Sequence, residues 1–64
     1  MSQISRQVKA LLTEAGWERL RAGKGDHEIW HHPRSGRKVT VDHSVKSRHT
    51  ANAVLKQAGL PKAF

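Results

Sequence analysis

Five of the 64 residues are histidines, at positions 27, 31, 32, 43 and 49, and one of them sits in a context suited to chemistry. His27 closes the run Gly23-Lys24-Gly25-Asp26-His27. The glycines let the backbone approach a ligand closely, and Lys24 can meet a phosphate beside the imidazole. Cleavage of RNA asks for this combination. The ribose 2′-oxygen attacks the neighbouring phosphorus, so a base must take its proton, an acid must assist the departing 5′-oxygen, and cations must stabilise the phosphorane. One imidazole supplies part of this, and general acid or base catalysis is worth about 10²- to 10⁴-fold, enough for a slow nuclease. On spacing alone, an exposed turn histidine without a task is the commoner case.

The same histidines invite comparison with a metal site, but their spacing opposes one. Four residues of extended chain separate His27 from His31 by about 13 Å, and His31 and His32 point to opposite faces of a strand. There is no cysteine to complete a zinc set, so neither a metal nor another cofactor is expected. Trp17 and Trp30 have the shape to stack on bases. For Trp17 a packing role is the expectation, whereas for Trp30 core and open surface are equally compatible with the sequence. Lys46, Arg48 and His49, with Lys56 further on, form a basic group that could join Arg19, Arg21 and Lys24 in a phosphate track, aided by a helix N-terminus. An ordinary solvated charged face has the same composition, and the overall charge favours the track.

These residues need a scaffold, and the apolar periodicity outlines it. Ile4, Val8, Leu11, Leu12 and Ala15 recur at helical spacing, leaving Arg6, Lys9 and Glu14 outside. Gly16 offers a left-handed stop, with Trp17 placed to pack back on Leu12. Residues 17–22 alternate as a strand, and residues 22–26 form a turn rich in glycine and charge. Residues 27–32 make a second strand. After the turn Pro33-Arg34-Ser35-Gly36 comes the β-prone Lys38-Val39-Thr40-Val41, followed by a polar connection from Asp42 to Lys46. A second helix is expected over residues 47–58, with Ala51, Val54, Leu55 and Ala58 inward, Gly59 at its stop and Leu60 packing back on Leu55. The order α-β-β-β-α predicts an α+β fold with a three-stranded antiparallel sheet, two helices on one face and the other face open. That is the arrangement of double-stranded-RNA-binding domains, which read shape, phosphates and 2′-hydroxyls. Element order alone says little about function.

Composition bounds the rest. Sixty-four residues suit one domain, residues 1–64, with a modest core, and 36% of them are hydrophobic. Twelve Lys and Arg against five Asp and Glu give a formal net charge of +7. Such an excess on a small surface attracts polyanions by releasing counterions, and nucleic acid is the commonest of these inside a cell. The beginning of the chain has no long apolar run of the signal-peptide kind, and no stretch approaches the roughly 20 apolar residues of a membrane span. A soluble protein of the reducing cytoplasm is the expectation.

The run Gly16-Trp17-x-x-x-Arg21-x-x-x-Gly25-Asp26-His27-x-Ile29-Trp30, the Pro33 turn, Val39-Thr40-Val41 and the ending Leu55-Lys56-Gln57-Ala58-Gly59-Leu60 resemble the HicA toxins in order over nearly the whole chain. The combination is much more specific than any one piece. Ser47-Arg48-His49-Thr50-Ala51-Asn52 looks like a subgroup of that family. Two departures stand out: Asp26 precedes the histidine where most members carry serine, and Asp42 replaces a proline usual after the third strand. His43 has no clear counterpart in the histidine that some members carry nearby.

The resemblance implies a double-stranded-RNA-binding-like fold and metal-independent cleavage of mRNA by a catalytic histidine that falls on His27. It also implies a HicB-like antitoxin that covers the active site, so that the toxin is silent in a hetero-oligomer with it. With this, the expected RNA contacts are Lys24, Arg21, Arg19, Gly25, Lys46 and Arg48. Two other classes fit the charge: a non-catalytic RNA-binding adaptor in which His27 is incidental, and a module whose basic face meets an acidic protein. Loss of cleavage but not of RNA affinity on replacing His27 separates the first from the toxin reading, and competition between RNA and partner tests the second.

Overall fold

A computed structural model describes residues 3–23, 25, 27–42, 45 and 47–64. The elements run α1 (Gln3–Glu14), β1 (Glu18–Ala22), β2 (His27–His31), β3 (Lys38–Asp42) and α2 (Arg48–Gln57). The strands form one antiparallel sheet in the order β1-β2-β3, and the fold class is the one expected. Both helices pack against one face, where the alternation along β2 and β3 buries Trp30, Val39 and Val41 over Val8, Leu12, Val54 and Leu55.

Both helices stop by the same chemistry. Gly16 (φ 94°) and Gly59 (φ 75°) adopt the left-handed conformation that costs a residue with a Cβ about 1–2 kcal/mol. After α1, the N–H of Gly16 donates to the Thr13 carbonyl at 3.1 Å and that of Trp17 to Leu12 at 2.9 Å. After α2, Gly59 donates to Lys56 at 3.0 Å and Leu60 to Leu55 at 2.8 Å. Trp17 and Leu60 thereby return to the core, as their sequence context predicts. At the start of α2, the Ser47 hydroxyl accepts from the N–H groups of His49 and Thr50.

Two features depart from the sequence reading, and a third settles an alternative it left open. β3 extends through Asp42, which pairs with His27 across the sheet instead of beginning the connection. Lys9, read as outward, is tucked against the sheet with its side chain only 12% exposed, because Glu28 is buried there and their charges meet at 3.1 Å. Trp30 takes the core position, and its indole N–H donates to Glu28 Oε1 at 3.1 Å. It is therefore not a platform on the open face. Among the described residues no helix is long and apolar enough to cross a membrane.

Candidate active site

The face of the sheet away from the helices is built by alternation. With Glu28 and Trp30 buried, His27, Ile29 and His31 project the other way. Residues directly opposite each other on paired strands share a face. That places Asp42 beside His27, Thr40 beside Ile29 and Lys38 beside His31 on β3, and Arg21 beside Ile29 and Glu18 beside His31 on β1.

An irregularity in β1 decides which arginine joins this face. The register shifts between Arg19 and Arg21, so Arg19 pairs with the inward Trp30 while Arg21 pairs with the outward Ile29. In a regular strand the two arginines would share a face; the extra residue sends them to opposite ones. Arg19 accordingly meets the buried Glu28, Nε to Oε2 at 3.3 Å, although half of its side chain stays exposed.

The backbone of His27 is fixed from the loop before it. The Gly23 N–H donates to the His27 carbonyl at 2.7 Å, closing the β1–β2 hairpin. The approach is close enough that a Cβ at position 23 would lie 3.2 Å from the His27 oxygen and 3.3 Å from its Cβ. The imidazole is half exposed, and its Nδ1 lies 4.0 Å from Asp42 Oδ2. Asp42 is held in turn, since the fully buried Ser5 of α1 donates its hydroxyl to the Asp42 carbonyl at 2.7 Å.

The other expected residues are distributed unevenly. Lys24, Asp26, His43 and Lys46 lie outside the described residues. Gly25 is exposed in the β1–β2 turn, with open space where a Cβ would stand. Arg48 is exposed at the first turn of α2, in the helix layer and not on the open sheet face. His31 shares the open face with His27, and its Nε2 is 3.8 Å from Glu18 Oε1. His32 sits edge-on to Trp17 at 5.4 Å and accepts from the Ser35 N–H, and His49 is exposed on α2. Among the described residues no three His, Asp or Glu side chains gather as a metal site. The grooves between α1, α2 and the final residues are lined by such side chains as Leu11, Glu14 and Leu60, and His27 lines neither.

Sequence reasoning noted Asp42 as a departure from the family pattern but missed it as a partner of His27. The signal was present: a turn centred between Arg34 and Ser35 sets residue 27 opposite residue 42.

The family model for the HicA toxin of bacterial toxin-antitoxin systems matches residues 5–60, from within α1 to the stop of α2. The chain belongs to the HicA toxin family. Comparison with curated proteins and with solved structures gives no match. As a HicA toxin it is the harmful member of a toxin–antitoxin pair, and membership implies an antitoxin partner. The matched span contains the whole sheet, and so both His27 and Asp42.

Proposed function

We propose that this HicA toxin is a metal-independent endoribonuclease that binds and cuts mRNA in the bacterial cytoplasm, with His27 as its catalytic residue. The observation that carries the reading is the half-exposed imidazole at the start of β2, on a sheet face the helices leave open, in a chain of this family. In the reaction the 2′-oxygen bonds to phosphorus and the bond from phosphorus to the 5′-oxygen breaks. The 2′-hydroxyl proton passes to the imidazole, and the departing 5′-oxygen takes a proton from the imidazolium or from water. Arg21, on the same face, meets the charge that grows on the phosphoryl oxygens, and Lys24, three residues before His27, adds a second cation. Gly25 leaves room for the RNA backbone. Arg19, Lys46 and Arg48 act away from the reacting bond, as contacts to flanking phosphates.

Cutting of mRNA stops translation and growth, and a HicB-like antitoxin silences the toxin by covering the open face. Induced alone in a bacterial host, the wild-type toxin is expected to arrest growth while full-length transcripts disappear, and His27→Ala, produced to the same level, to permit growth. Arrest by His27→Ala as strong as that by the wild type would remove His27 from the mechanism.

A further inference from the structure

The partner of the His27 imidazole on the open face is a carboxylate. Antiparallel pairing puts Asp42 directly across from His27, and its Oδ2 stands 4.0 Å from Nδ1. This is ion-pair range and longer than a hydrogen bond, in keeping with catalytic contacts that tighten only when substrate binds. Contacts from three other segments hold the pair in place. Ser5, fully buried on α1, anchors the Asp42 backbone by donating to its carbonyl at 2.7 Å. The Val45 N–H donates to the same carbonyl at 3.3 Å from the following connection. On the other strand the Gly23 N–H fixes the His27 carbonyl at 2.7 Å. Both ends of the pair are thus set by backbone contacts that do not involve the reacting side chains.

We infer that Asp42 is the positioning residue of the toxin: its carboxylate keeps the His27 proton on Nδ1 and turns Nε2 toward the RNA as the atom that exchanges a proton with the 2′-oxygen. A neutral imidazole carries one proton on either nitrogen, and a carboxylate facing Nδ1 favours the tautomer with the proton there. Nε2 is then left with its lone pair, as a base requires. When it takes the 2′-proton, the ring faces the Asp42 carboxylate through Nδ1, which keeps the imidazole in that orientation. The effect on rate rests on the ribonuclease reading, whereas the tautomer does not.

The experiment therefore reads both. Nitrogen-15 NMR of the histidine rings in the folded toxin at alkaline pH reports which nitrogen of His27 is protonated, and cleavage and RNA affinity are measured on the same samples. Asp42→Asn keeps the shape and the backbone contacts of the residue and removes the charge. It is expected to shift His27 toward the Nε2-protonated tautomer that free histidine prefers, to slow cleavage about 10-fold or more, and to leave RNA affinity within about twofold. Asp42→Glu should restore part of both the tautomer and the rate. Asp26→Asn, which alters the carboxylate next to His27 in sequence, should move neither. A His27 tautomer unchanged by Asp42→Asn, or one that follows Asp26 instead, overturns the assignment of Asp42. A tautomer that follows Asp42 in a wild-type protein that cuts no RNA upholds the pair and overturns the ribonuclease reading.

Discussion

At position 23 a methyl group has almost no room. The N–H of Gly23 reaches the His27 carbonyl at 2.7 Å, and a Cβ there would stand 3.2 Å from that oxygen, closer than most real contacts. Because the conflict is with backbone, the strand must give way and the imidazole moves with it. A shift of a few tenths of an ångström at the backbone of His27 lowers the rate of a reaction that depends on alignment. Gly23→Ala is expected to lower the cleavage rate about 10-fold while costing only about 1 kcal/mol of stability, measured as RNA cleavage beside a urea unfolding curve. Full activity in that variant would mean that the hairpin does not place the histidine. Under the proposed function, the role of this glycine is indirect, through the position it gives to His27.

At the scale of elements, the attachment of α1 to the sheet is partly ionic. Glu28 lies among the apolar residues of β2 with its side chain 7% exposed, and it is compensated by Lys9 at 3.1 Å, by Arg19 at 3.3 Å and by the Trp30 indole N–H at 3.1 Å. Replacing Glu28 by Ala leaves a nearly buried lysine without this partner and an indole without this acceptor. The expected cost is about 3 kcal/mol, a large part of the stability a domain of this size commands. A urea midpoint that barely moves would show that Lys9 escapes to solvent. This cluster was hidden in the sequence. Helical periodicity assigned Lys9 to the outside because charge usually marks the solvent face, and nothing local to Glu28 says that its strand neighbour Trp30 faces the core. The regular parts were legible for equally physical reasons. Gly16-Trp17 and Gly59-Leu60 announce helix ends because few residues other than glycine tolerate the left-handed turn, and the β-branched run at Val39 to Val41 announces a strand. His27 was legible as a candidate from its loop and its family. Its pairing with Asp42 was not, because it depends on register, a property of two strands at once. The separation of Arg19 from Arg21 was also beyond reach, since it follows from one extra residue in β1.

For the molecule as a whole, a net charge of +7 on 64 residues makes attraction to polyanions general, whereas the proposed reaction is local. The helices cover one side of the sheet and leave the other with Arg21, His27, His31 and Lys38, alongside Glu18 and Asp42. Binding and cutting should therefore come apart when the imidazole alone is removed. The direct test is cleavage of a single-stranded RNA by the purified toxin in excess EDTA, comparing wild type with His27→Ala of matched fold. RNA affinity is measured in parallel at low and high salt. Cutting by the wild type that survives EDTA, its loss by at least about 100-fold in His27→Ala, and equal, salt-sensitive binding by both are the predicted results. A wild type that binds RNA without cutting it, or a His27→Ala protein that cuts as fast, would contradict the claim that this is a histidine ribonuclease.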